Sequence, residues 1–255
     1  MMNANYHTHT ARCRHASGED REYVEAAISQ GIKVLGFSDH CPWVFPNGFV
    51  SGTRMEPHEL DGYFKSLCDL RDEYKDDITI YIGFEAEYIP ELMPEQDKLL
   101  ADYPVDYMIL GQHFLEPEPF GAYTGYPTPS ENMLAWYTDL VIEALETGRY
   151  KYAAHPDLLN FTGDNETYRK HYTRLCQCLK RLDIPVEINL LGLGQHRHYP
   201  DNRFLEIARD TGCCAILGID AHCPQMITDS ITIRKGEELA KKFGLPLVDR
   251  LPGLA

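Results

Sequence analysis

The sequence predicts an α/β fold in which parallel strands alternate with helices and close into a barrel. Three observations carry this expectation. Seven short apolar runs alternate with longer amphipathic stretches, the signature of repeated βα units. Each run is followed, at its carboxyl end, by ionisable residues. No Gly/Ser linker, low-complexity tract or internal repeat divides the 255 residues, a length that suits one large barrel, so a single domain over 1–255 is expected.

Taken in order, the first run (3–6) leads into His7 and His9. Ser17-Gly18-Glu19-Asp20 gives a start signal for a helix over 19–30, and Gly31 sits just past its end. The second run (32–37) is followed by Asp39 and His40, then a long loop over 41–54 and a helix over 56–74. The third (78–84) ends in Glu85 and Glu87; the fourth (105–110) precedes His113. The stretch 114–127 is rich in Pro and Gly and reads as a loop over the mouth. Thr128-Pro129-Ser130-Glu131 opens a helix over 129–147, with Gly148 beyond it. The fifth run (150–154) precedes His155 and a helix over 167–182. The sixth (185–188) carries Glu187 and leads to Asn189 and a helix over 201–211. The seventh (214–218) precedes Asp220 and His222, and the last helix, over 229–243, stops at Gly244.

In a (β/α) barrel all strand carboxyl ends meet at one mouth, where sites form. An open sheet would gather only the groups beside its switch point. Polar residues after all seven runs therefore favour the barrel. Their types point to metal, because imidazole nitrogen and carboxylate oxygen ligate zinc, iron and manganese. In His7-Thr8-His9 alternate residues share a side, so both rings can reach one ion. Asp220-Ala221-His222 repeats that spacing.

Composition narrows the functions. There are 24 Lys and Arg against 39 Asp and Glu, a net charge of −15, which argues against a long nucleic-acid partner. Hydrophobic residues make up 44% and charged residues 25%, so disordered, collagen-like and coiled-coil readings fall away. MMNANYHTHTARCRH holds no long apolar run, and no window reaches a membrane span. The expectation is a soluble cytoplasmic protein, with eight cysteines lacking any CxxC pair and therefore reduced. No signature of oligomeric state is present.

HTH near the start, GFSDH, GFEAEY, GQH, AAHPD and GIDAH, in this order, resemble the PHP (polymerase and histidinol phosphatase) family across essentially the whole chain. SDHCPW, TRMEPHELDGY and IYIGFEAEYIP bring it nearest the histidinol-phosphate phosphatase branch. The resemblance implies a distorted seven-stranded (β/α) barrel, TIM-barrel-like, with three divalent metal ions (zinc, iron or manganese). It implies one ion on His7, His9, Glu85 and Asp220, a second sharing Glu85 and adding His113 and His155, and a third on His15, His40 and His222. A matching residue stands at all nine positions.

The activity so implied is hydrolysis of a small phosphate ester, foremost L-histidinol phosphate to L-histidinol and phosphate in histidine biosynthesis. A metal-bridging hydroxide would attack phosphorus without a covalent intermediate. Asp39 is a candidate acid for the leaving group, with support of a ligand imidazole as its other role. Arg197 is the first choice for phosphate, since its fork fits phosphate oxygens, and similar proteins carry an arginine in this loop. Arg54 and Arg14 come next. The branch often has a second arginine soon after the fifth-strand histidine, and His155-Pro156-Asp157-Leu158-Leu159-Asn160-Phe161 has no base. Glu87 and Glu187, with Glu116 and Asp157 behind them, are candidates to meet the substrate amine. Trp43, Phe45, Phe114 and Tyr123 stand in loops that could cover a ligand. His58 and His171 read as surface residues. The alternative is a PHP phosphoesterase acting on a nucleotide or other small phosphate. An amidohydrolase-like reading lacks the bridging lysine at a strand end, and a metal-binding module without catalysis is disfavoured by the intact ligand set.

Overall fold

The computed structural model describes residues 2–251 and 253–254. Its elements run β1 (Ala4–Asn5), α1 (Asp20–Gln30), β2 (Val34–His40), α2 (Leu60–Glu73), β3 (Thr79–Ala86), α3 (Met93–Leu100), β4 (Tyr107–Leu110), α4 (Glu131–Glu146), α5 (Asn165–Arg181), β5 (Val186–Asn189), α6 (Leu190–Gly194), α7 (Asn202–Thr211), β6 (Ala215–Gly218), α8 (Pro224–Ile227) and α9 (Ser230–Phe243).

The helix ends follow from local chemistry. Glu19 and Glu22 form a reciprocal capping box at the start of α1, and Gly31 ends it in the left-handed region. The Ser130 hydroxyl accepts from the Met133 N–H to start α4. Helices α3, α6 and α8 were not expected. The first spans eight residues and the others five and four, too short to show a helical period. Of the three, α6 has a local side-chain cap: Asn189, at the end of β5, accepts from Gly192 N–H.

Strands β1-β2-β3-β4 form one parallel sheet, and β5-β6 a second. Isolated parallel bridges run Leu110–Ala153 and Ala153–Val186, so a single residue connects β4 to β5. A further bridge, Thr8–Ala221, joins the segment after β1 to the segment after β6. The expected strand over 150–154 is thus reduced to bridges at Ala153. On its far side the neighbouring strand is preceded by Pro185, which has no N–H with which to extend a ladder.

The pleat sorts the apolar residues. On β4, Met108 and Leu110 join the large cluster beneath the helices, with Phe37, Phe84, Ile188, Tyr63, Leu134 and Phe204. Tyr107 and Ile109 face the other way, into a smaller cluster with Tyr6, Val34, Tyr152 and Ile216. There the Tyr107 hydroxyl donates to Tyr6 O at 2.7 Å. The polar residues lie beyond this cluster, at the carboxyl ends of the strands. Among the described residues, no helix is long and apolar enough to cross a membrane.

Candidate metal centre

Nine side chains from six segments converge on this end. Glu85 stands at the centre. Its Oε2 lies 3.4 Å from His7 Nε2, 3.5 Å from His9 Nε2 and 3.2 Å from His40 Nδ1. Its Oε1 faces the other way, 3.5 Å from His113 Nε2 and 3.0 Å from His155 Nε2. Asp220 Oδ1 sits 3.1 Å from His9 Nε2 and 3.5 Å from His7 Nε2. The third group stacks beside His9, whose ring centre is 4.2 Å from that of His222 and 4.4 Å from that of His40. His15 completes it, 4.8 Å from His222 and 5.3 Å from His40.

The strands explain the convergence. Glu85 ends β3 in register with His40 on β2. His7 and His9 flank the Thr8 bridge, and His9 N–H donates to Ala221 O, which brings the first and last segments together. His155 and Asp220 adopt positive φ, 30° and 55°. Non-glycine residues rarely hold that region, and such outliers gather at functional sites.

The donor set fits divalent metal. His7 Nε2, both His9 ring nitrogens, both Glu85 oxygens and His155 Nδ1 are buried and have no hydrogen-bond partner among the described residues. Orphaned buried polar atoms are costly, and a cation offers the missing partner. Several triads have one donor atom from each residue within 4.8 Å of the others, among them His7–Glu85–His155, His7–His9–Asp220 and His9–His40–His222.

Two electrostatic environments coexist. Burial opposes charge on His9, but the carboxylates of Asp220 and Asp39 close to its ring carry it up to about 9. Burial likewise opposes charge on His7 and His155, and nearby carboxylates raise both. Burial resists ionisation of Glu85 and Asp220, yet the surrounding imidazoles hold both well below the carboxylate range. Burial and the His9 charge push His222 down to about 4, although Asp220 Oδ1 lies 3.4 Å from its Nδ1, and the same two causes hold His40 well below its usual value. Burial also lowers His15. Neutral imidazoles are the form that binds cations.

Other expected residues sit behind this layer. Glu187 Oε1 is 2.8 Å from His7 Nδ1, and its Oε2 accepts from His155 N–H at 2.7 Å. Glu87 Oε1 lies 3.0 Å from His113 Nδ1. Neither lines the cavity, which corrects the expectation that they meet the substrate amine: their oxygens are taken by the imidazoles and their neighbours. Asp39 is fully buried, accepts from Thr10 Oγ1 and from His40 N–H, and lies 3.5 Å from His9 Nδ1. That packs it behind His9, outside the lining of the cavity.

The cavity above the centre has a volume of about 360 Å³, within the range of small-ligand pockets. Besides candidate ligands it is lined by Thr53, Arg54, Phe114, Tyr123, Leu191, Gln195, Arg197, Tyr199 and Met226. Arg197 is at the mouth, its guanidinium bonded to Tyr199 Oη at 2.7 Å and Gln195 Oε1 at 3.0 Å. Arg54 reaches the wall but is buried and paired with Glu87 and Glu118. Arg14 does not line the cavity; it is exposed and paired with Glu59 and Glu56. Trp43 and Phe45 pack in a small cluster with Ile89 and Leu92. Glu116 stands beside that cluster, and buried Asp157 accepts from Asp201 N–H. His171, expected at the surface, is 4% exposed and pairs with Glu131. Tyr199, Gln195 and Met226 were not foreseen. Only the neighbourhood of Arg197 hinted at the first two, and nothing local marks Met226.

The PHP domain family model matches residues 5–190. A probable histidinol-phosphatase of Deinococcus radiodurans is 26% identical over 230 residues, covering 86% of this chain and 85% of that one. A probable histidinol-phosphatase of Schizosaccharomyces pombe is 23% identical over 248 residues, covering 87% and 81%. Among solved structures, histidinol phosphate phosphatase from Lactococcus lactis, complexed with zinc, L-histidinol and phosphate, superposes with a TM-score of 0.72. It is 22% identical, with 97% of this chain and 95% of that chain covered.

Proposed function

This chain belongs to the PHP-domain family, and on that premise we infer that it is a phosphoric monoester hydrolase of the histidinol-phosphatase branch, acting on L-histidinol phosphate. One observation carries the reading furthest: buried His and Glu donor atoms, without hydrogen-bond partners among the described residues, lie at the floor of a cavity sized for a small ester. The names of the relatives support the substrate, and the unbroken ligand pattern supports an active copy.

We assign three divalent ions to the sets that the motifs imply: His7, His9, Glu85 and Asp220; Glu85, His113 and His155; and His15, His40 and His222. Glu85 supports this by offering one oxygen to each side. When bound, such ions supply Lewis acidity toward phosphoryl oxygens and an activated water. The protein's own residues do the rest. Glu187 and Glu87 accept from the Nδ1 atoms of His7 and His113, which turns each Nε2 toward Glu85. Arg197 offers its fork at the mouth for phosphate oxygens. Phe114, Tyr123 and Tyr199 exclude water around the leaving group. The distorted seven-stranded barrel, the single domain over 1–255 and a cytoplasmic setting with free thiols belong to the same reading.

A second reading, another small phosphate ester as substrate, draws on the placement of Glu87 and Glu187. With both behind imidazoles, among the described residues no carboxylate outside the candidate ligands lines the cavity to meet an amine. Phosphate release from L-histidinol phosphate, beside a generic aryl phosphate, with zinc or manganese added, tests both. A strong preference for histidinol phosphate is expected. Equal turnover of both esters favours the second reading, and inactivity on both overturns the assignment.

A further inference from the structure

We propose that Arg54 and Glu118 are positioning residues that tie the two loops of the cavity rim to His113, so that metal uptake and ordering of those loops favour each other. The proposal rests on the ligand role assigned to His113.

Arg54 ends the loop over 41–54 and is only 3% exposed. A buried guanidinium needs its N–H groups matched. Arg54 makes four hydrogen bonds: Nη1 to Glu87 Oε2 and Nη2 to Glu87 Oε1, both 3.1 Å, Nε to Glu118 Oε2 at 2.8 Å, and Nη1 to Cys41 O at 3.2 Å. Such a group has little left to offer a phosphate. Glu118 comes from the other rim loop, 114–127, and is held again by the Ser51 hydroxyl at 2.7 Å. Glu87, at the end of β3, takes Trp43 Nε1 at 3.1 Å and faces His113 Nδ1 at 3.0 Å. A continuous chain therefore runs from Glu118 through Arg54 and Glu87 to His113.

Each link has a physical task. Arg54 fixes both oxygens of Glu87 by a fork that lysine cannot copy. Glu87 fixes the His113 ring so that Nε2 points at Glu85 and the cavity. A cation on Nε2 makes the Nδ1–H a stronger donor, which strengthens the bond to Glu87 and, through it, the hold on both loops. Because coupling between two equilibria is reciprocal, loop contacts that favour the metal must themselves be favoured by it.

The test uses the intact protein with zinc as probe. Zinc affinity is measured by chelator competition for Glu118→Gln, Arg54→Lys and, as a control, Glu73→Gln, whose partner Arg21 lies on an exposed helix face. Cleavage within 114–121 by a dilute protease is followed with and without zinc. We expect Arg54→Lys to weaken zinc about tenfold or more, the range for groups that orient a ligand. Glu118→Gln, which leaves every proposed ligand in place, should weaken it several-fold and shrink the protection that zinc gives the loop by a similar factor. Glu73→Gln should match the wild type. Wild-type affinity in both Glu118→Gln and Arg54→Lys overturns the proposal, and so does loosening of the loop that is equal with and without zinc. If the wild type itself takes up no divalent metal, the ligand role of His113 falls first, a failure that is separately visible.

Discussion

In β2 and β3 the candidate ligands ride on a regular ladder, with His40 opposite Glu85 in continuous register. Across the ring, between β4 and β5, the ladder thins to bridges at one residue, and His155 and Asp220 sit on backbone with positive φ. Here side chains replace the ladder. Glu187 accepts from His155 N–H, and Asn189 donates to Glu187 at 3.0 Å and to Asp220 Oδ2 at 3.0 Å. A regular strand aims its side chains through pleat alone. An irregular one holds a bent backbone, at about 1–3 kcal/mol per strained residue, only where buried polar contacts compensate.

The largest effect should come from Glu85, which serves both sides. Glu85→Gln should lower phosphatase kcat/KM by about 10³-fold or more, the loss of several kcal/mol of charge stabilisation. Metal content after dialysis should fall with it; an active, fully loaded variant would show that the two oxygens of Glu85 are dispensable.

Gly218→Ala probes the irregular half. A Cβ there would stand 1.8 Å from Glu187 Oε1, so Glu187 must move and release His7 and His155. Metal affinity should fall about 10–100-fold, the range for loss of an orienting partner. An unchanged dissociation constant would show that the side-chain scaffold is not what holds this half.

Asp157 offers a pH-dependent contrast in the same half. Burial raises its carboxyl to about 7. Its folded form therefore holds a proton that the unfolded chain releases near pH 4. That contribution to stability is complete below about pH 4 and is lost as pH rises to about 7. Asp157→Asn removes the titration, so at pH 8 metal-free variant should exceed metal-free wild type by about 2–4 kcal/mol relative to their difference at pH 4. Denaturant melts at the two pH values measure it, and a pH-independent gap would refute it.

Metal uptake should also release protons. His9, held protonated up to about pH 9 in the metal-free state, must be neutral to ligate. Zinc affinity should therefore rise between pH 6.5 and 9 and level off above. Calorimetry in buffers of different ionisation enthalpy would count the displaced protons, and a flat profile would mean that His9 is not displaced. The smallest effect belongs far from both halves: Arg21→Gln, breaking an exposed pair with Glu73, should leave the denaturant midpoint unchanged within the scatter of repeat melts.

Much of this was written locally. The alternation of apolar runs with amphipathic stretches marked all six regular strands, because a buried strand must be apolar wherever it sits. Of the nine α-helices among the described residues, six were marked by caps and period; α3, α6 and α8 were too short to be. The nine candidate ligands were legible because each stands at or soon after the carboxyl end of an apolar run, and those ends meet. The supporting residues were legible as carboxylates but not as to their role. Nothing near Glu87 or Glu187 in the sequence says whether an oxygen faces a substrate or an imidazole from another strand. Arg54 and Glu118, 64 positions apart, become partners only when two loops fold over the same rim. Residue type and strand-end position thus depended on the sequence alone. Which oxygen meets which nitrogen depended on tertiary packing, because hydrogen bonds act over about 3 Å and sequence sets no such distance between remote segments.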